Sequence, residues 1–410
     1  MKTKYTNLPK IVLLVVLMFS LVMMSGMIAN AEEEKVIKIG IVSLSVGDIY
    51  LNAGRWACVK EMEKLEKEGY KLEWFVESSF EPIKQLEFVE TMINIPVDIA
   101  YIEPVDGTMT VMIDRFYEAG IPVVCKNSDV LGGAFHPYIA MGNYDCAVQA
   151  ANALIEVCER AYGPTPEDWV KKGGQDGHGV IINIAGRLSQ TIAKERYDGF
   201  LAVWQPIADK TPGLEILTKP YDWEVDKAYA IAQDMWTLYG DEIIGIFSAG
   251  DRGLTAGVVP AFKAARAFRK VGEPGHIPLV AIDGTPECLR LMREKEIDVV
   301  IVQDAYGEGR VTALVMKKLL KGEPLDEIGT VLWEGIKPLV MEVFPDQYGP
   351  EYKDAVEPWA PVTVVERVAG VQYKTNVGVC TSWGFGIPPD SKLLWGNVMA
   401  FIEKDKWPWE

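Results

Sequence analysis

Residues 98–129 read DIAYIEPVDGTMTVMIDRFYEAGIPVVCKNSD, and this stretch decides the fold. Residues 99–102 are a short apolar run suited to a buried strand. The turn-rich EPVDG follows. Residues 107–119 then carry Met109, Met112, Ile113 and Phe116 at helical spacing. Gly120 stands just past that helix, where a left-handed cap is common. Ile121-Pro122 leads straight into a second apolar run at 123–125. Strand, helix, strand in so short a span is a βαβ unit, whose two strands lie parallel.

The same alternation runs outward in both directions. Further strands are expected at 37–43, 72–77, 138–141, 180–185, 215–218, 243–248, 278–282 and 299–303. Helical patterns lie between them at 53–68, 82–94, 144–160, 192–208, 224–240, 255–269, 285–294 and 307–321. VVIVQ at 299–303 is apolar on both faces, as strands of a parallel sheet covered by helices are. These strands exceed one ordinary sheet, and the series restarts near Gly142. The expected architecture is α/β, with two Rossmann-like lobes built on parallel sheets. Ligands of open α/β sheets sit at the carboxyl ends of the strands. Two facing lobes would therefore put both sets of strand-end loops around one cleft. Those loops hold carboxylates, amides, one well-placed Arg and several aromatics. Such groups bond hydroxyls and stack on C–H faces.

Composition narrows the chemistry. The chain has 410 residues, 49% hydrophobic and 24% charged, which suits a folded chain of two domains. Lys and Arg number 41 against 58 Asp and Glu, a net charge of −17. So acidic a surface opposes a nucleic acid's phosphates. Only three His occur, far apart: His136, His178 and His276. No HExxH, CxxC, phosphate-binding loop or GxSxG is present. No cofactor, metal site or catalytic set is expected.

The first 31 residues read as a targeting segment. Lys2, Lys4 and Lys10 precede the apolar run 11–29, and Ala29-Asn30-Ala31 supplies small residues for cleavage. This is the layout of a secretory signal peptide, with an uncleaved anchor as the other reading. Export would expose the six Cys to oxidation. Cys58, Cys158 and Cys288 fall in apolar helical patterns and read as buried thiols. Cys125 and Cys146 are the one pair whose positions suggest a bridge.

Seven phrases, in order, carry a resemblance: IKIGIVSLSVGDIYLNAGRWACVKEMEKL, DIAYIEPVDGTMTVMIDRFYEAGIPVVCKNSD, YIAMGNYDCAVQAA, TIAKERYDGFLAVW, FSAGDRGLTAG, VAIDGTPECLRLM and VVIVQDAYGEGR. The chain resembles, from residue 36 to about 325, the periplasmic sugar-binding proteins related to ribose-binding protein, the type I solute receptors of ABC transporters. Repressors of the LacI type share that fold, but here a signal segment stands where their DNA-binding headpiece would be. The resemblance implies ligand contacts at Asp48 and Tyr50 in the first loop, with Leu51 also at a position of ring-stacking aromatics. Asn127-Ser128 stands where the family commonly has Asp-Arg. Arg196 matches a binding Arg and is expected to be an exposed cleft residue. Trp223 matches a stacking aromatic. Gly250 replaces a binding Asn, with Asp251 next to it. Asp283 and Gln303 match two further polar contacts.

The resemblance also implies boundaries. The N-terminal lobe would comprise 36–141 with about 304–330. The C-terminal lobe would comprise 142–303 with about 331–341, so that 331–340 makes the last crossing between lobes. Residues 342–410 form a C-terminal extension without a matching motif. The implied function is reception of a sugar or similar polyhydroxylated ligand by hinge closure. The partner would be a membrane ABC permease, the place the periplasm or cell envelope, and the working form a monomer that binds no nucleic acid. Two other readings stay open: a chemosensory or quorum-signal receptor on the same fold, and a carbohydrate-active enzyme using Asp48 and Asp283.

Overall fold

A computed structural model of the chain describes residues 35–399 and Ile402. The expected signal segment lies outside them, as does the chain's end. Fourteen strands occur among the described residues: β1 Lys35–Ser43, β2 Tyr70–Ser78, β3 Ile99–Ile102, β4 Val123–Lys126, β5 His136–Met141, β6 Gly179–Ala185 and β7 Leu214–Pro220. Then follow β8 Ile243–Ser248, β9 Leu279–Asp283, β10 Val299–Gln303, β11 Val331–Leu332, β12 Val362–Arg367, β13 Gly370–Thr375 and β14 Val377–Thr381. They form two sheets. One has eight strands in the order β11-β12-β13-β5-β4-β3-β1-β2, the other six in the order β14-β10-β9-β8-β6-β7.

Both sheets are parallel where the βα alternation builds them, with β1 beside β2 and β3, and β6 beside β7 and β8. Every residue of β3, β4, β8 and β10 is buried. Helices cover both faces of such strands, so neither face has water to meet. Two of these helices, Ile49–Met62 and Ala305–Leu320, approach closely at a pair of glycines. A Cβ on Gly309 would lie 1.9 Å from the carbonyl oxygen of Gly54. Only hydrogen fits there.

The chain crosses between sheets three times. It leaves the first sheet after β5 for the helix Asn143–Tyr162, returns after β10 through Ala305–Leu320, and leaves again at Asn376 between β13 and β14. The last crossing expected at 331–340 is therefore corrected. Val331 and Leu332 instead pair antiparallel with Thr363 and Val362 at the outer edge of the first sheet. The chain first adds an antiparallel hairpin, β12–β13, alongside β5. Only then does β14 run antiparallel to β10 in the second sheet. All six Cys are buried and free, so Cys125 and Cys146 are not bridged.

Candidate functional site

The carboxyl ends of the parallel strands face each other across a cavity. From the first sheet come Asp48 and Tyr50, after β1, and Asn127, after β4. From the second come Arg196, Trp223, Asp283 and Gln303. Of the eight residues expected at the site, these seven line the cavity. Asp251 does not. It is fully buried, and its Oδ2 accepts the backbone N–H groups of Gly284 at 3.0 Å and Thr285 at 2.6 Å. A strand-end carboxylate can turn inward to hold the neighbouring turn, and here it does so beneath Asp283.

Local backbone explains why these side chains point where they do. Asp48 caps the helix Ile49–Met62, its Oδ1 accepting from Tyr50 N at 2.9 Å and Leu51 N at 3.1 Å. Asn127 and Asp283 have φ of +61° and +119°. Asp222 and Trp223, at +56° and +67°, are two successive left-handed residues without a glycine. Such backbone costs roughly 1–3 kcal/mol per residue and persists only when its surroundings hold it. Two features hold Trp223: its Nε1 donates to Gln190 Oε1 at 2.5 Å, and its ring lies on Gly186, where a Cβ would come within 2.1 Å.

Arg196 differs from expectation. It is only 2% exposed. Its Nε donates to Asn143 at 2.9 Å, its Nη1 to the Ala249 carbonyl and to Asp283 at 3.3 Å, and its Nη2 to Gln303. The guanidinium thus ties four strand ends together while lining the cavity. Gln303 passes the chain onward: its Nε2 donates to Glu308 at 2.7 Å, and Glu308 accepts from the Tyr50 hydroxyl at 2.8 Å. Burial raises the Glu308 carboxyl, against the pull of nearby Lys126. Burial also pushes Asp283 up, Arg196 works against it, and the Asp251 and Asp48 carboxylates add to the rise.

Four residues that sequence reasoning passed over also shape the cavity. Arg252 Nη1 meets Asp48 Oδ2 at 2.9 Å and closes the mouth from lobe to lobe. Gln190 and Tyr221 stand in the strand-end loops after β6 and β7. Phe80 follows β2, and the Arg187 guanidinium lies over its ring at 5.6 Å.

A profile of the periplasmic binding protein domain matches residues 39–324. The chain belongs to that family. Among its relatives, a protein named for rhizopine binding in Rhizobium meliloti is 26% identical over 250 residues, 59% of this chain and 72% of the relative. The ribose import binding protein of Salmonella typhimurium is 24% identical over 265 residues, 64% and 78% of the two chains. Two solved structures share the fold of this family member. A periplasmic solute-binding protein of Actinobacillus succinogenes with bound D-allose has a TM-score of 0.58 at 17% identity, covering 71% of this chain and 93% of its own. One from Bacillus halodurans with bound myo-inositol scores 0.56 at 21%, covering 72% and 92%.

Proposed function

We propose that this family member is the exported solute receptor of an ABC uptake system, binding a sugar or related polyol between its lobes. The observation that carries the reading is the cavity at the strand ends of two lobes, walled by amides, carboxylates, Arg196 and Trp223. The relatives named for ribose and rhizopine support the same ligand class.

The mechanism is hinge closure. Arg252–Asp48 and the Gly107 N–H to Ser189 carbonyl bond, 3.1 Å, cross from one lobe to the other. A ligand that touches both lobes adds contacts only when they are closed, so it shifts the equilibrium toward closure. A membrane permease then reads the closed monomer. Asp48 favours binding over catalysis: one carboxylate oxygen caps a helix and the other pairs with Arg252.

A thermal-shift panel on the mature chain, with D-ribose, D-allose, D-fructose and myo-inositol, tests the reading. A ligand at a hundred times its dissociation constant adds about 2.7 kcal/mol, a readily measured rise. No shift with any sugar or polyol at millimolar concentration would sink the proposal.

A further inference from the structure

The C-terminal segment lies outside the family match, yet it places a cation on the seam between the lobes. Arg367 ends β12 in the first sheet. Its own lobe holds it there. Its Nε donates to Asp129 Oδ2 at 3.3 Å, and its guanidinium lies over the Tyr138 ring at 4.9 Å. Asp129 is itself fixed: its Oδ1 accepts the Val130 N–H at 2.9 Å and faces His136 Nε2 at the same distance. The other arm of Arg367 leaves the lobe. Its Nη1 donates at 2.8 Å to Oε1 of Glu195, on the helix Thr191–Ala208 of the second lobe. Thr191, one turn earlier, also meets the first lobe, its Oγ1 accepting the Asp129 N–H at 3.0 Å.

A second cation of the segment behaves differently. Lys374 on β13 pairs at 2.8 Å with Asp145 on the helix Asn143–Tyr162. Both partners stand within three residues of a chain crossing, so rotation about the crossings hardly moves them apart. Arg367 stands at the far end of the β12–β13 hairpin, about a strand's length from the crossing at Asn376. Its bond to Glu195 coexists with the mouth contacts Arg252–Asp48 and Gly107–Ser189. It belongs to the closed lobes.

We propose that Arg367 is a latch supplied by the C-terminal segment. Its bond to Glu195 forms when the lobes close and breaks when they open. This rests on the hinge-closure reading above and adds a residue to it. Arg367 does not line the cavity; it is a positioning residue that acts through Glu195, the neighbour of Arg196 on the same helix. Opening leaves Arg367 with Asp129, so the two states differ by one charge-assisted bond, partly shielded from water and stronger than an exposed pair. A contact made only in the closed state shifts the population toward closure. It holds the ligand in and acts mainly on release.

The test isolates the bond between the lobes. Glu195→Gln removes it and leaves Arg367 with Asp129. Nitroxide labels at Ile83→Cys and Leu238→Cys, exposed sites on the first and second lobe, report the open and closed populations by double electron–electron resonance with no sugar present. The native Cys are all buried. The open-to-closed ratio should rise at least threefold in Glu195→Gln. Adding Arg367→Gln should change it by less than a further twofold, and Lys374→Gln alone by less than twofold. With the tightest binder among D-ribose, D-allose, D-fructose and myo-inositol, stopped-flow fluorescence should show release at least threefold faster from Glu195→Gln, with association within twofold of wild type. A smaller rise in the ratio, a twofold or larger effect in either control, or release and association outside those bounds would overturn the latch and leave the receptor reading intact. Failure of every sugar to bind would sink the receptor reading, and the label distances would still decide the latch.

Discussion

Residues 39–324, matched by the family, and the segment from Val331 onward solve the folding problem differently. The first region builds itself from repeated βα units, each burying an apolar strand under its own helix. The second contains little helix and makes no layer of its own. It completes what the first leaves open. The strands β11, β12 and β13 extend the first sheet, and β14 covers an edge of the second. Its Trp359 and Trp395 are fully buried. Trp395 donates to the Asp283 carbonyl at 2.8 Å and meets the Tyr50 ring edge-on at 5.5 Å. The extension thus backs two cavity residues, one from each lobe. An appendage by sequence is part of the site's frame by structure.

The sharpest way to break that comparison is to remove the second region. A chain ending at Glu323 loses four strands and exposes the apolar surfaces they cover. We expect no cooperative thermal transition by circular dichroism. A cooperative melt near the full-length value would mean that the extension is an accessory.

A subtler comparison pairs one tryptophan from each region. Trp204, on the helix Thr191–Ala208, stacks with Phe200, and both Trp204 and Trp395 are fully buried. Truncating a buried Trp to Ala costs roughly 3–5 kcal/mol. Trp204→Ala and Trp395→Ala should therefore lower stability in urea by similar amounts. A Trp395→Ala cost well below that of Trp204→Ala would place the extension outside the cooperative unit. Trp395→Ala alone should also weaken sugar binding, through Asp283 and Tyr50.

The two regions were not equally legible in the sequence. All ten strands expected in the first region are present; the buried ones, such as β3 and β10, are unbroken apolar runs, and the edge strands β2 and β7 were placed by the βα alternation despite their charged, half-buried residues. The cavity residues were legible for a related reason: strand ends point at ligands. That rule names a position and not a direction, so it also selected Asp251, which turned inward. It passed over Gln190, whose role depends on a Trp223 backbone conformation that no composition announces. The hairpin β12–β13 left a fainter trace. VTVV at 362–365 alternates buried and half-buried positions, and Val368-Ala369 makes the turn before Gly370 opens β13. A strand with one partly wet face resembles a loop more than β3 or β10 does.

Arg196 is expected from the resemblance to contact ligand, and its burial adds a second consequence to its loss. Arg196→Ala should weaken sugar binding at least tenfold, about 1.4 kcal/mol. It should also lower the ligand-free melting temperature, because Asn143 and Gln303 oxygens lose their donor, at roughly 1–3 kcal/mol. Unchanged ligand-free melting would return Arg196 to the role of a pure ligand contact.

The smallest expected effects concern pH, with one carboxyl from each region. Burial pushes Asp304, which caps the helix after β10, up to about 8 with Glu357 adding to the rise. Burial likewise pushes Glu357, of the extension, up to about 7 despite Arg310. A raised folded-state value means that the folded protein holds the proton more tightly. The stabilisation is full below the unfolded value near 4 and is lost as pH rises through 7 to 8. The wild-type melting temperature should fall between pH 6 and pH 9. Asp304→Asn and Glu357→Gln should each flatten that slope by a few degrees. An unaltered slope in both variants would assign it to other groups.

On the proposed reading, two lobes, each completed by the C-terminal segment, close on a ligand held at their strand ends. Small-angle scattering of the mature chain, with and without its tightest-binding sugar, tests it most directly. We predict a smaller radius of gyration with sugar bound. The same radius in both states, at saturating sugar, would contradict hinge closure and leave a rigid pocket in its place.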